Sequence, residues 1–381
     1  MNSSLTAMDQ AHLKRALELA EDGRGRVSPN PLVGAVVVRD GEVIGEGFHA
    51  ELGGLHAERA ALEDCRGRGE DPAGATMYVT LEPCAHQGRQ PPCVEAILEA
   101  GIARVVIASE DPSEKASGRG PGILRDGGVE VAFASGAEAT AARRLNQPFR
   151  KHARTGLPLV VLKMAMSLDG QTSTAPGDSP WISGPESREL VHRWRAESDA
   201  IAVGIGTALA DDPLLTARID GARQPLRVVF DSQARLPLES QLLKTLDQAP
   251  VLVVTAPDAP SDRIAALRDA GAEPIVATDI ESALRELGRR EVTNLFLEGG
   301  RTLASAFLSS GQIDESRTFV APMLLGRQSD PAPRAGGDDR EDSPGRESPR
   351  SEAGPARLPA LESSTDRIGD DVLITARFKE W

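Results

Sequence analysis

One imidazole and two thiols, at His56, Cys84 and Cys93, form the most reactive set of side chains in the sequence. Such a trio suits Zn²⁺, and three protein ligands leave a fourth position for water, as in catalytic zinc sites. Glu58 follows in His56-Ala57-Glu58, where a carboxylate is placed to move protons rather than to ligate. Zinc lowers the pKa of its water toward ~7, so Glu58 is expected to take that proton and hand it to a leaving amine. Glu82-Pro83-Cys84 sets the first cysteine just past a strand end. Pro91-Pro92 leads Cys93 into a helix, whose N-terminal dipole favours the thiolate. With His86 or His49 as a fourth ligand, the same cluster would be a structural zinc site. Cys65 lies beside apolar helix positions and reads as a buried neutral thiol.

A second set of groups lies in the other half. Lys163-Met164-Ala165-Met166-Ser167-Leu168-Asp169-Gly170 ends a strand on an Asp-Gly turn, a usual ligand-binding place in open α/β sheets. Ser179-Pro180-Trp181-Ile182-Ser183, the run 204–216 and Leu297-Glu298-Gly299-Gly300-Arg301-Thr302-Leu303 follow. In the last of these two glycines end a strand and open a helix, so backbone N–H groups can approach a phosphate. The GxGxxG fingerprint is absent, which argues against an ordinary Rossmann dehydrogenase.

Regular elements must position these groups. Residues 8–21 have the apolar spacing of an amphipathic helix, and Ser28-Pro29-Asn30-Pro31 breaks it. Segments 33–38 and 43–48 flank Asp40-Gly41 and predict a hairpin. A helix over 56–65, a strand over 76–81, a helix over 93–100 and a strand over 104–108 complete an α/β sandwich with helices on a sheet. The polar stretch 150–156 reads as a linker between a domain over 1–150 and a second α/β domain over 157–381. Strands are expected there at 159–165, 200–203, 226–230, 251–255, 274–277, 294–297 and 317–321, with helices at 185–197 and 301–309. Residues 328–357 contain no Val, Ile, Leu, Met, Phe, Trp, Tyr or Cys. Burial cannot offset their ordering entropy, so a disordered insertion is expected. Alternation in 371–378 then returns a strand to the second sheet.

Composition narrows the classes. A chain of 381 residues with 40% hydrophobic and 26% charged residues has room for two globular domains, each with its own core. A net charge of -14 opposes a nucleic-acid surface, which needs many Lys and Arg contacts to phosphate. No apolar run reaches the ~20 residues of a membrane span. Three cysteines cannot build a disulfide framework and no signal peptide opens the chain, so a cytoplasmic location is expected.

The pattern H-x-E with P-C-x-x-C marks zinc deaminases; here a loop stretches the second half to Pro83-Cys84-Ala85-His86-Gln87-Gly88-Arg89-Gln90-Pro91-Pro92-Cys93. This spacing resembles the riboflavin-pathway pyrimidine deaminases. The likeness extends to Ser28-Pro29-Asn30-Pro31-Leu32-Val33-Gly34, Gly47-Phe48-His49 and Asp111-Pro112, and departs from the family at Gln90 and Ser113. The second motif set is similar to the reductase domain of the same bifunctional family. That resemblance implies a cytidine-deaminase-like three-layer first domain and a dihydrofolate-reductase-like second domain. It further implies substrate contacts at Asn30 and His49 in the first domain. NADPH would meet Ala165, Trp181, Thr207, Asp211, Ser232, Gly300, Arg301, Thr302 and Leu303, and the phosphoribosyl substrate Ser179, Arg195, Leu215, Arg218 and Glu298. Arg195 and Arg218 suit a phosphate, because a guanidinium offers forked donors. The implied function is hydrolytic deamination of a phosphoribosyl pyrimidine followed by NADPH-dependent reduction of its ribosyl group, in a homodimer. A deaminase whose second half binds ligand without reducing it is the alternative.

Overall fold

Residues 35–38 are apolar at every position, and the strand that they form is buried on both faces. The computed structural model describes residues 5–88, 90–114, 116, 118–172, 181–326 and 357–381. Ser179 and all but the last residue of the insertion expected at 328–357 lie outside the described residues. The first half runs α1 (Ala7–Glu21), β1 (Gly34–Arg39), β2 (Glu42–Phe48), α2 (Ala57–Gly67), β3 (Thr76–Val79) and α3 (Cys93–Glu99). It continues through β4 (Arg104–Ile107), α4 (Arg119–Asp126), β5 (Glu130–Phe133), α5 (Ala137–Leu145) and α6 (Gln147–Thr155).

Its five strands lie in the order β2-β1-β3-β4-β5. Because side chains alternate along a strand, Ala35 and Val37 pack against α2, α3 and α4, while Val36 and Val38 pack against α1 and α5. Three layers result. Asp40 and Gly41 both take positive φ, 54° and 86°, the backbone that a two-residue Asp-Gly hairpin requires. Gly45 and Gly47 let β2 approach α2 closely: a Cβ on Gly47 would stand 2.3 Å from the Ala61 amide nitrogen. Gly47→Ala is therefore expected to cost about 1–3 kcal/mol, since helix backbone cannot give way like a flexible side chain. Denaturant titration reads this as a lower midpoint, and an unchanged midpoint would contradict the packing.

The second half adds β6 (Leu159–Ser167), α7 (Pro185–Glu197), β7 (Ala200–Gly204), α8 (Ile205–Asp211), β8 (Leu226–Phe230) and α9 (Gln241–Lys244). Next come β9 (Val251–Thr255), α10 (Ser261–Asp269), β10 (Glu273–Val276), α11 (Ile280–Arg289), β11 (Asn294–Leu297) and α12 (Arg301–Ser309). The chain closes with β12 (Glu315–Ala321), β13 (Glu362–Ile368) and β14 (Asp371–Arg377). Nine strands lie in the order β10-β9-β8-β7-β11-β6-β12-β14-β13. β10 to β12 pair in parallel, and β14 runs antiparallel to both β12 and β13. Val161, Ile201, Val229 and Val253 pack on one face, and Val160, Ala202, Val228 and Leu252 on the other. Parallel strands of this kind are buried on both faces, which explains their continuous apolar runs.

Residues 150–156 are not an exposed, irregular linker. All but the last lie in α6, and Arg150 and Lys151 are each 1% exposed. Arg150 Nη2 donates to Glu110 Oε1 at 2.6 Å and its Nε to the Trp381 carbonyl at 2.6 Å. Lys151 Nζ donates to Asp314 Oδ2 at 2.5 Å. Charges leave water here because each finds a partner. α6 thereby ties the first sheet to the second. Among the described residues no helix is long and apolar enough to cross a membrane.

Candidate active sites

His56 stands at the N-cap of α2 with extended backbone (φ -70°, ψ 154°), so its side chain leaves the helix axis. Cys84 sits in the loop after β3, and Cys93 is the first residue of α3, with Pro92 at the N-cap. The fold brings all three together. His56 Nδ1 is 3.3 Å from Cys93 Sγ and 3.5 Å from Cys84 Sγ, and the three ligand atoms all lie within 4.8 Å of one another. The Cys93 amide also donates to Cys84 Sγ at 3.3 Å.

Electrostatics at the cluster favour a cation. Hydrogen bonding from Cys93, then from His56, holds the Cys84 thiol down at about 4 against its burial. The same pairing, with burial, pushes the Cys93 thiol up, and the hydrogen bond with Cys84 raises His56. One sulfur is thus a thiolate at neutral pH. A divalent ion would ionise the second, because thiolate is the ligating form. The donor set therefore fits zinc.

Glu58 lies in the first turn of α2 and is 4% exposed. Burial, followed by the Cys84 charge, raises its carboxyl to about 7, while a hydrogen bond with Cys93 works against the rise. His49 is not a fourth ligand. Its Nδ1 donates to the Leu55 carbonyl at 2.8 Å, which fixes Nε2 as the acceptor of Asn30 Nδ2 at 3.0 Å. Burial lowers its pKa, so the ring is neutral. His86 is likewise outside the ligand cluster, although it borders the same cleft. This cleft, of about 590 Å³, takes in Asn30, His49, His56, Glu58 and Cys84. Cys65 is fully buried, and burial pushes its thiol up.

Several supports were missed in the sequence. Buried Glu82 accepts from the Gly118 amide at 2.8 Å and holds the loop that carries Ser113 to the cleft. Asn146 grips Leu32 through both its amide (2.8 Å) and its carbonyl (2.9 Å), fixing the loop behind Asn30. Phe149, His152 and Ala153 of α6 and Glu291 of the second half also border the cleft. An acid ahead of Pro-Cys was a usable signal for Glu82. For the rest there was none, because their partners are far away in sequence.

The second-half residues divide into two groups. Glu298 follows β11, beside Lys163 of neighbouring β6. Arg195 of α7 grips Glu298 bidentately, Nε to Oε1 at 2.6 Å and Nη2 to Oε2 at 2.9 Å, and donates to the Thr216 carbonyl at 3.2 Å. Burial works to raise the Glu298 carboxyl, but Arg195 holds it below the ordinary range, and burial pushes Lys163 down. Arg195 is thus paired with an acid through its Nε and Nη2. Arg218 is exposed, and buried Leu215 takes a positive φ of 54° just ahead of Thr216.

Ser232, Thr302 and Leu303 border a separate cleft of about 520 Å³ along the carboxyl ends of β7, β8 and β9. Thr207 is not among the residues that border it but lies against the glycine turn: a Cβ on Gly300 would stand 3.4 Å from Thr207 Oγ1. Arg301 opens α12 there. Ala165, Trp181 and Asp211 do not border this cleft. Trp181 is 57% exposed, with the Arg188 guanidinium 5.2 Å from its ring centre.

Residues 6–109 match a family profile described as "Cytidine and deoxycytidylate deaminase zinc-binding region", and residues 158–349 one described as "RibD C-terminal domain". The chain is 40% identical over 341 residues to the riboflavin biosynthesis protein RibD of Actinobacillus pleuropneumoniae, covering 88% of this chain and 89% of that protein. It is 40% identical to RibD of Escherichia coli, over 84% of this chain and 89% of that one. Its fold is similar to that of Acinetobacter baumannii RibD, with a TM-score of 0.82 and 36% identity over 98% of this chain and 99% of that one. A Thermotoga maritima structure, named a diaminohydroxyphosphoribosylaminopyrimidine deaminase/5-amino-6-(5-phosphoribosylamino)uracil reductase, superposes with a TM-score of 0.80 at 34% identity, over 98% of this chain and 99% of that one.

Proposed function

The chain belongs to the RibD family of riboflavin biosynthesis proteins, and on that premise we propose which of its residues carry each of the two reactions. It is a bifunctional enzyme, a zinc-dependent deaminase joined to an NADPH-dependent reductase, with a cytidine-deaminase-like first half and a dihydrofolate-reductase-like second half. We place the division at 1–150 and 157–381, with α6 bridging the two. The substrate proposed for the first half is 2,5-diamino-6-ribosylamino-4(3H)-pyrimidinone 5′-phosphate, which loses its 2-amino group. The second half then reduces 5-amino-6-(5-phosphoribosylamino)uracil, opening its ribosyl group to ribityl.

The convergence of His56, Cys84 and Cys93 within 4.8 Å, with Glu58 buried against them, carries this reading. Zinc held there would acidify a water at the open position. Glu58, with a carboxyl near 7, exists in both protonation states at neutral pH. It can therefore accept a proton from the attacking water and deliver one to the departing ammonia. Asn30 and neutral His49 are placed to orient the pyrimidine.

In the second half NADPH supplies the hydride. The chain's share is positioning: Glu298, kept anionic by Arg195, faces the sugar, and exposed Arg218 meets the phosphate. Ala165, Trp181, Thr207, Asp211, Ser232 and the 300–303 turn are proposed to hold the dinucleotide, and Leu215 and Ser179 the substrate. We further assign the protein to the cytoplasm as a homodimer joined through the second half. Exposed Leu361, Val372 and Ile374 near the terminal strand β13 support that assembly.

Chelation separates the two reactions. Removing zinc is expected to stop NADPH consumption started with the diamino substrate, and to spare consumption started with the deaminated intermediate. Absorbance of NADPH follows both. A chelated enzyme that still turns over the diamino substrate would refute the metal assignment, and a native enzyme inert toward the deaminated intermediate would favour the deaminase-only alternative.

A further inference from the structure

We propose that Asp199, a residue of the reductase half, serves the deaminase as a positioning residue: through Ser28 it holds the loop that presents Asn30 to the pyrimidine. This rests on the reading of Asn30 as a substrate contact. Pro29 and Asn30 border the deaminase cleft, on the loop between α1 and β1. That loop is fastened on both sides of Asn30. On the β1 side, Asn146 of the first half grips Leu32. On the α1 side, the Ser28 hydroxyl reaches into the second half and donates to Asp199 Oδ2 at 2.7 Å.

Asp199 is held as a fixed point. It is 4% exposed, directly ahead of β7, and its Oδ2 also accepts from the Thr293 amide at 2.8 Å, the Thr293 hydroxyl at 2.8 Å and the Asn294 amide at 3.1 Å. Arg223 Nη1 meets Oδ1 at 3.1 Å, so the buried charge has its cation. The starts of β7 and β11 therefore clamp the carboxylate before Ser28 reaches it from the first half. A hydrogen bond to an ionised acceptor is about twice as strong as a neutral one, which suits this contact to restraining a loop. What it restrains is the register between Asn30 and His49, the residue after β2, whose Nε2 takes the Asn30 Nδ2 proton at 3.0 Å. A loop released at Ser28 samples positions in which Asn30 misses both His49 and the pyrimidine. Substrate then binds only the fraction of molecules with the loop in place, which raises KM and leaves the chemistry of the bound complex alone.

Ammonia release from the diamino substrate tests this in the zinc-loaded full chain, using the wild type, Ser28→Ala, Ser28→Thr, Asp199→Ala and the double variant of Ser28→Ala with Asp199→Ala, and Asn30→Ala as the reference. Ser28→Ala is expected to raise KM about 3- to 10-fold, part of what one charge-assisted hydrogen bond is worth, with kcat within about twofold of the wild type. Ser28→Thr keeps the hydroxyl and should restore the wild-type KM. Reduction of the deaminated intermediate should be unchanged in Ser28→Ala, whereas a merely structural role would lower the amount of active enzyme for both reactions and leave KM alone. Asp199→Ala should raise the deaminase KM at least as far, and Ser28→Ala should add nothing in that background. A wild-type KM in Ser28→Ala beside a raised KM in Asn30→Ala overturns the proposal and leaves the reading of Asn30 standing. Additive effects in the double variant, or a Ser28→Thr no better than Ser28→Ala, overturn it as well. A wild-type KM in Asn30→Ala removes that reading and the proposal with it. Should one of the two single variants at Ser28 and Asp199 fail to fold, the KM of the other decides.

Discussion

Glu58→Gln is expected to slow deamination by about 10²- to 10⁴-fold, the range that a positioned proton carrier contributes, while zinc stays bound. The amide keeps the volume and the burial of the carboxyl but can neither accept a proton from water nor give one to ammonia. The ligand trio is untouched, because Glu58 is outside it and only hydrogen-bonds to Cys93. Stability should not fall either: burial already works against the charged form of Glu58, and Gln carries no charge to desolvate. The decisive measurements are zinc content and the deamination rate, with the reduction of the deaminated intermediate as an internal control. Loss of zinc together with loss of rate would make Glu58 a structural group. A rate within a few-fold of the wild type would remove it from the chemistry.

Asp314→Ala acts on stability instead, and here a cost of about 3–5 kcal/mol is expected. Asp314 is fully buried and accepts from Lys151 Nζ at 2.5 Å, from the Val160 amide at 2.8 Å and from Trp381 Nε1 at 3.1 Å. Removing it strands the Lys151 ammonium, itself 1% exposed, between the two sheets. Burial already pushes the Lys151 pKa down, and only Asp314 opposes that trend. The companion variant Lys151→Met leaves the carboxylate two other donors and should cost less. Combining Lys151→Met with Asp314→Leu should cost less than Asp314→Ala alone, since an apolar pair leaves no unpaired charge. Denaturant midpoints measure all three. A double variant no more stable than Asp314→Ala would show that the pair is not a coupled unit.

The sequence exposed chemistry wherever a residue type has few other uses. His56, Glu58, Cys84 and Cys93 could be assigned in advance because a histidine, an acid and two cysteines at deaminase-like spacing serve metal and proton chemistry and little else. His56, Cys84 and Cys93 do meet within 4.8 Å. The Asp40-Gly41 hairpin and the apolar parallel strands were legible for a similar reason, since turn backbone and strand burial are local demands. Helix α6 was not. Arg150-Lys151-His152-Ala153-Arg154 carries the composition of a solvated linker, and periodicity takes charges to face water. Its partners Glu110 and Asp314 lie 40 and 163 residues away. Buried Arg227 in β8 is a parallel case, its two terminal nitrogens donating to the carbonyls of Leu214, Thr245 and Ala249, with burial lowering it to about 10.

Read alone, the residues pointed to the kind of metal and to the layered α/β plan, while the dinucleotide cofactor came only with the family resemblance. The metal and the plan follow from side-chain chemistry or from patterns repeated over a few neighbours. Tertiary structure alone decided that α6 closes one side of the deaminase cleft and that Arg195 pairs with Glu298. Whether a charge is spent or available depends on what lies within a few ångströms of it, and that neighbourhood is assembled from segments that the chain itself keeps far apart.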